Sequence, residues 1–289
     1  DEFWFSISDS DLLLWMQGVN ISKKYDVEID EIDVCPVQIQ GPLSEDLMAK
    51  LAGEELRDVP YYGLMETNIE GADVVISQTG FTGEKGYEIY VRDAHENAEI
   101  VWNAVLEAGE EFGLMVIAPA HHRRIQAGIL SWGQDLDHET SPFQVNLSYQ
   151  VPRNKEADYI GKKELERQRA VIDAGDFPFK MRMVGLIFGG KQITDYAPDF
   201  WLIADTDGSD MGYITSPWWS PELNTNVGLG WVPQTSSEIG TKLQVRLPDE
   251  YSDSSGVAVE GEIVDVPFRE SVTPNKREVQ KDKGLDYAD

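Results

Sequence analysis

The sequence predicts an α+β protein: a small sheet with helices on one face, followed by a C-terminal β-barrel domain. Two observations carry this. Between Val34 and Gly109, β-rich runs and helix-like segments follow one another in the order β-α-β-β-α, the pattern of a ferredoxin-like layer with its helices on one side. From Met183 onward six short β-rich runs, VGLIF, FWLIA, MGYIT, NVGLGWV, KLQVRL and EIVDV, are separated by Gly, Pro, Ser and Asp, which suits a barrel or a sandwich. The chain therefore divides into residues 1–182, an α+β region with its sheet unit at about 34–112, and residues 183–289, the barrel.

Taken in order, residues 3–8 (FWFSIS) read as a strand, and Asp9, Ser10 and Asp11 supply N-cap candidates for a helix opening on Leu12-Leu13-Leu14-Trp15. β-branched residues alternate from Val34 to Ile39, and Gly41-Pro42 breaks the chain before the helix-like SEDLMAKLAG. The run 73–77 (DVVIS) leads through the glycines of residues 80–86 into a strand at Tyr87–Val91, and residues 95–109 read as a helix. Ile125, Ile129 and Trp132 recur at helical spacing from a start near Pro119, so a helix ending at Gly133 is expected. A mixed charged stretch from Lys155 to Gly175 holds another short helix, GKKELERQRA, and the charged tail after Pro274 is expected to fray.

Composition limits the partners. The 289 residues carry 52 acidic against 24 basic side chains, a net charge of −28, which repels a polyanion over most of the surface and argues against nucleic acid. Eight Trp, eleven Tyr and ten Phe among apolar runs identify a folded chain rather than a disordered acidic one. Such a coat suits a saline habitat, where screening weakens its self-repulsion. Cys35 is the sole cysteine; it cannot form an intrachain disulfide and reads as a small core residue without chemistry. No apolar run approaches the roughly 20 residues that cross a bilayer, and no basic segment followed by an apolar one opens the chain. A soluble cytoplasmic protein without a membrane partner is expected. The chain starts without methionine and runs at once into Phe3-Trp4-Phe5, which reads as the middle of a domain with an N-terminal piece missing.

Three constellations could carry chemistry. In Thr79-Gly80-Phe81-Thr82-Gly83-Glu84-Lys85-Gly86-Tyr87-Glu88-Ile89-Tyr90, glycines bring the backbone close to a ligand while two strands present an aromatic and a carboxylate. Glu88 could accept two N–H bonds from a pterin ring, whose amino group and neighbouring nitrogen match two carboxylate oxygens; the alternative is a glycine-rich hairpin with surface acids. The spacing matches neither a dinucleotide fingerprint nor a P-loop. Next, Pro119-Ala120-His121-His122-Arg123-Arg124 gathers four possible cations in an acidic chain, for a ligand carboxylate such as a folate glutamate tail, or for pairing with acids such as Asp135 and Asp137. A metal site is disfavoured there because the i, i+4 ligand spacing is missing. Finally, Trp132-Gly133-Gln134-Asp135-Leu136-Asp137 with Ser141-Pro142-Phe143 could hold a cationic substrate by charge and cation–π attraction, or be a capped turn. Neither a GxSxG elbow nor a base near Cys35 supports nucleophilic catalysis.

In this order and spacing the motifs resemble the glycine-cleavage T-protein (aminomethyltransferase) superfamily: TGFTGEKGYEI, RRIQAGILSWGQDLD with the following Ser-Pro, DYIGKKEL, and GYITSPWWSPELNTNVGLGWV closing on Val266-Pro267-Phe268. The match runs over most of the chain. DSDLLLWMQG and RRIQAGILSWGQDLD are most similar to the branch containing dimethylsulfoniopropionate demethylase. The resemblance implies a cloverleaf of three domains around a central folate cavity, with a ferredoxin-like middle unit and a C-terminal β-barrel. It implies transfer of one carbon from a small onium or methylamine donor to tetrahydrofolate, the cofactor. Donor and folate would be the partners. Glu88 falls on the family's pterin-binding glutamate, Phe81 on an aromatic lining the folate and donor sites, and Tyr90 on the demethylase tyrosine that faces the donor. One departure matters: Pro119-Ala120-His121 stands where the aminomethyltransferases have GARD, so that motif's folate-contacting arginine falls on Ala120. The family's catalytic aspartate would lie upstream of Asp1. Two other readings accompany this one, a glycine-cleavage aminomethyltransferase and a folate-binding regulatory or RNA-modification-related module without turnover.

Overall fold

The computed structural model describes residues 2–6, 11–118, 121–252, 254 and 256–268, and forms two compact units, Asp1–Ala118 and Pro119–Asp289. In the first unit, helix α1 (Leu12–Lys23) precedes strand β1 (Val34–Gln40), helix α2 (Ser44–Ala52), strands β2 (Leu64–Ile69), β3 (Ala72–Ser77) and β4 (Gly86–Arg92), and helix α3 (Ala94–Gly109). The strands form one antiparallel sheet in the order β1-β4-β3-β2.

Side chains alternate across a strand, so this register sorts the residues into two faces. Ile39 and Tyr87, Ile76 and Ile89, and Val74 and Val91 are cross-strand partners on the inner face. They pack with Leu47 and Met48 of α2 and Val101 and Val105 of α3 into one buried cluster. Opposite lies a polar face, where Gln38 pairs with Glu88 and Ser77 flanks Glu88 on the other side.

Three details of this unit differ from expectation. Strand β2 was not expected; its inward residues Met65, Thr67 and Ile69 alternate with Leu64, Glu66 and Asn68, so hydropathy alternation is weak. Its only sharp signal is the turn Glu70-Gly71, whose two left-handed residues match the twist of a two-residue hairpin. Residues 3–6 carry no strand, while residues 7–10, including the cap candidates Asp9 and Ser10, lie outside the described residues. Asp11 does stand at the N-cap of α1, but its side chain makes no capping bond. Cys35 is exposed on β1 rather than in the core.

The second unit opens with the short helix α4 (His121–Gln126), followed by α5 (Lys162–Asp173) and six strands: β5 (Met181–Phe188), β6 (Trp201–Ala204), β7 (Asp210–Ser220), β8 (Thr225–Pro233), β9 (Lys242–Val245) and β10 (Val259–Val264). They close into an antiparallel barrel in the order β10-β5-β8-β7-β6-β9, so the six expected runs resolve as a barrel and not a sandwich. Closure removes unpaired sheet edges. Leu186, Phe188, Ile203, Ile214, Val232, Val245 and Ile263 fill its interior. Strand β8 is buried on both faces: Val227, Leu229 and Trp231 lie outside the barrel core, under Ile125 and Val145.

Helix α4 is shorter than its hydrophobic spacing implies, ending at Gln126 and not near Gly133. Gly128 takes the left-handed conformation (φ 68°), its N–H donates to the Ile125 carbonyl, and the Ile129 N–H donates to the Arg124 carbonyl. That double closure is a Schellman stop; Ile129 and Trp132 then belong to a loop whose burial merely coincides with helical spacing. The tail after Pro274 lies outside the described residues.

Two glycines test this packing in opposite senses. A Cβ on Gly212 of β7 would stand 2.0 Å from the Trp231 carbonyl oxygen, so Gly212→Ala should destabilise the protein by about 1–3 kcal/mol. Gly18 in α1 is exposed with nothing within 4 Å of such a Cβ, so Gly18→Ala should stabilise that helix by about 0.5–1 kcal/mol. Urea denaturation of both variants checks the pair.

Candidate functional site

On the polar face of the first unit, Glu88 is half-buried between neighbouring strands. The Tyr90 hydroxyl donates to Glu88 Oε2 at 3.1 Å, the Thr79 hydroxyl donates to the same oxygen, and Thr79 Oγ1 lies 3.0 Å from Ser77 Oγ. Two hydroxyl groups thus hold one carboxylate oxygen. Burial pushes the Tyr90 phenol up, the neighbouring Glu88 adds to that shift, and a bond from Ser6 opposes it. The Trp4 ring meets Tyr90 edge-on at 6.5 Å between centroids, and the Arg92 guanidinium lies 4.5 Å from the Trp4 ring centroid. Residues near the start of the chain therefore cover part of this face without entering the sheet.

The glycine-rich turn is fastened to α2. Lys85 pairs with Glu45, the Lys85 carbonyl accepts from Gly41 N at 2.9 Å and from Ser44 Oγ at 3.1 Å. The bond from Lys85 holds the Glu45 carboxyl below its usual range, against the opposing effect of burial. Gly86 admits no side chain, since a Cβ would lie 2.6 Å from the Ile39 carbonyl oxygen. At Gly80 a Cβ would meet only the movable ends of side chains, 2.3 Å from Gln40 Nε2. That amide nitrogen is buried and has no hydrogen-bond partner, while Gln40 Oε1 accepts from the Thr82 hydroxyl. Phe81 sits on the turn with its residue 38% exposed, and among the described residues its ring meets no other ring.

The structure thus brings Glu88 and Tyr90 into direct contact, while Phe81 stays on the turn. Gln38 and Gln40 escaped sequence reasoning, and Thr79, which opens the first constellation, carried no role there. The alternation of Gln38 and Gln40 with the apolar Ile39 was the available signal.

The two remaining constellations lie in the second unit and turn inward. Arg124 is 1% exposed and pairs with Asp135, also 1% exposed, at 2.6 Å. Its other protons reach the Ile129 carbonyl at 3.1 Å, Gln134 Oε1 at 3.1 Å and Ser216 Oγ at 2.8 Å. Asp135 accepts from the Thr215 and Ser216 hydroxyls at 2.5 Å each and from the Ser131 N–H at 2.8 Å. Pairing with an acid, and not capture of a ligand carboxylate, is the role of Arg124. Asp135 is correspondingly closed to a cationic substrate. Asp137 caps a turn instead, accepting from the Glu139 N–H at 2.9 Å and the Thr140 hydroxyl at 3.1 Å. Ala120, where the aminomethyltransferase arginine would fall, lies outside the described residues. Among the described residues no group of three or more His, Cys, Asp or Glu could hold a metal ion, and no helix is long and apolar enough to cross a membrane.

Comparison with known proteins fits both units. Residues 1–155 match the GCVT N-terminal domain and residues 182–268 the glycine cleavage T-protein C-terminal barrel domain. The chain belongs to the glycine cleavage T-protein family. It is 33% identical over 249 residues to the dimethylsulfoniopropionate demethylase of Ruegeria pomeroyi, covering 86% of this chain and 65% of that protein. The aminomethyltransferase of Geobacillus sp. strain WCH70 is 29% identical over 275 residues, covering 90% of this chain and 70% of the relative. The crystal structure of the glycine cleavage system aminomethyltransferase T from Bartonella henselae superposes with a TM-score of 0.66 at 21% identity, over 89% of this chain and 66% of that one. That superposition establishes the family fold, α+β with a six-stranded C-terminal barrel.

Two measurements probe the buried pair and its neighbour. Arg124→Met or Asp135→Leu alone strands a buried charge and should cost about 3–5 kcal/mol, whereas the double variant should lose less than the sum; denaturant titrations of all three decide this. Burial also pulls the His121 imidazole below its ordinary value of 6.5, helped by Arg124 and opposed by Asp135. Below 6.5 the unfolded chain binds a proton that the folded chain resists, so stability is full above that value and falls as pH drops toward the folded pKa. His121→Gln should flatten this part of the stability–pH curve, read as the thermal midpoint against pH.

Proposed function

We propose that this chain is the folate-binding part of a tetrahydrofolate-dependent one-carbon transferase that takes a methyl group from a small onium or methylamine donor. The observation that carries this reading is the Glu88 carboxylate, held through Oε2 by Thr79 and Tyr90 beside a glycine turn, on a face with a buried unpartnered Gln40 amide nitrogen. A pterin supplies what that face lacks. Its amino and ring N–H groups can donate to Glu88 Oε1, and its ring acceptors can meet the Gln40 amide. Tetrahydrofolate, when bound, supplies the N5 nucleophile. The protein's own contribution is to align acceptor and donor and to exclude water, because a sulfonium or quaternary ammonium donor already carries a neutral leaving group.

Phe81 and the ring of Tyr90 are proposed as the walls against the cationic donor, where an aromatic face attracts positive charge. The greater identity to the demethylase, 33% against 29% for the aminomethyltransferase, supports an onium donor such as dimethylsulfoniopropionate. Aminomethyl transfer is the second reading, favoured by the names of several relatives at 28–31% identity. Incubating the full-length protein with tetrahydrofolate and a panel of onium and methylamine donors, and following 5-methyltetrahydrofolate, separates the two. Coupling to glycine cleavage with no product from any onium donor would reverse the preference.

Substitution checks the residue roles. Glu88→Gln keeps the shape but removes the charge that strengthens both pterin bonds, so folate affinity should fall by roughly 1.5–3 kcal/mol; unchanged affinity in a calorimetric titration rejects the assignment. Phe81→Trp should tighten donor binding by up to about 1 kcal/mol, and Phe81→Leu should weaken it, both without change in folate affinity. Equal losses for both ligands would mean that Phe81 only supports the turn.

A further inference from the structure

We propose that Gln38 is a specificity-determining residue that reads the 4-oxo oxygen of a pterin whose neighbouring N–H groups bind Glu88. Resting on the folate reading of Glu88, this role adds the contact that tells a 2-amino-4-oxo ring from its relatives. Gln38 of β1 is the direct cross-strand partner of Glu88 of β4, so both side chains leave the same face of the sheet. Side chains opposed in this way start about 4.5–5.5 Å apart at Cβ, close enough for one edge of a six-membered ring to touch both. Gln38 is exposed, and β1 is the edge strand of the sheet, beside β4. A flat ring can therefore reach the pair from solvent.

The chemistry of the pair is asymmetric. An ionised carboxylate presents acceptors alone, whereas a side-chain amide also presents N–H donors. Along one edge a 2-amino-4-oxo pterin carries its amino group, its ring N–H and its oxo oxygen, in the order donor, donor, acceptor. Glu88 answers the two donors, and a Gln38 N–H answers the oxygen. Local structure places the amide for this. Gln38 Nε2 stands 3.0 Å from the point that a Cβ on Gly80 would occupy, so the missing side chain leaves room there for the amide nitrogen. The preceding residue, Thr79, donates its hydroxyl to Glu88 Oε2. Carboxylate and amide nitrogen are thus gathered beside the same Thr79-Gly80 step. Of the other outward residues of β1, Pro36 opposite Tyr90 has no polar side chain, and Gln40 lies opposite Gly86, one outward pair beyond Glu88. Gln38 is the residue of that strand that stands level with the carboxylate.

Calorimetric titration of the full chain with tetrahydrofolate and with its 4-amino analogue, in which an amino group replaces the oxo oxygen, tests the role. Gln38→Met keeps the length of the side chain and removes the donor. It should weaken tetrahydrofolate about three- to tenfold, the worth of one neutral hydrogen bond, and keep the parent's thermal midpoint because the residue is exposed. Gln38→Glu replaces the donor by an acceptor, which repels the oxo oxygen and suits the amino group. The ratio of the two affinities should then shift at least about tenfold toward the analogue. Glu88 is the same in parent and variant, so the change in that ratio isolates the 4 position. A side chain that only held the turn in place would lower both affinities alike. An unchanged ratio in Gln38→Glu, or unchanged tetrahydrofolate affinity in Gln38→Met, would overturn the assignment. Glu88→Gln, titrated alongside, separates the two levels. Lost affinity there with no effect at Gln38 removes only the role of Gln38, whereas no effect at Glu88 removes the folate reading beneath it.

Discussion

A guanidinium and a carboxylate, each 1% exposed, govern the construction of the C-terminal unit. Removing both from water costs several kcal/mol per ion, and the cost is met only where geometry is good and every remaining proton and lone pair is satisfied. Arg124 and Asp135 meet that condition through a set of specific placements. Helix α4 must stop at Gly128 so that the Ile129 carbonyl can accept from Arg124. Strand β7 carries a register shift between Ile214 and Ser216, and the adjacent hydroxyls of Thr215 and Ser216 both reach Asp135. A bulge can turn side chains that regular alternation would send to opposite faces. Trp231 of β8 adds its ring N–H to the Asp135 carbonyl at 3.0 Å. The short helix, the bulge and the two-sided burial of β8 therefore answer to one electrostatic requirement.

The N-terminal unit follows a different rule. Its inner face is packed by α2 and α3, while its polar face gathers groups that a core would not tolerate. Glu88, Thr79, Tyr90, Ser77, Gln38 and Gln40 are brought there by strand alternation and by a turn held to α2 through Lys85. Apolar packing and polar hydrogen bonding are thus divided between the two faces of one sheet. In a chain with a net charge of −28 a buried cation is conspicuous, and Arg124 is neutralised inside its unit by Asp135.

Much of this architecture was legible before any coordinates. The six C-terminal runs, the helices near 44–52, 94–109 and 162–173, and the strands around Glu88 all stand where local patterning puts them. Where reading failed, a tertiary demand had outweighed a local signal. Strand β2 is held by its hairpin partner more than by its own weak alternation, and α4 is cut short by a glycine whose left-handed turn serves the buried pair.

By itself the sequence determined the fold class, the strand that carries Glu88 and Tyr90 after the glycine turn, and the family motifs in their order. Those depend on local spacing and on residue type, which a linear chain displays directly. Only the tertiary structure decided which charges were spent inside the molecule. Arg124 and Asp135 are eleven residues apart and bond to Ser216, 92 residues from Arg124; Gln40 meets Thr82 across 42 residues. Partners chosen over such separations depend on burial and on the exact reach of side chains, and neither is written in the composition or period of any one segment.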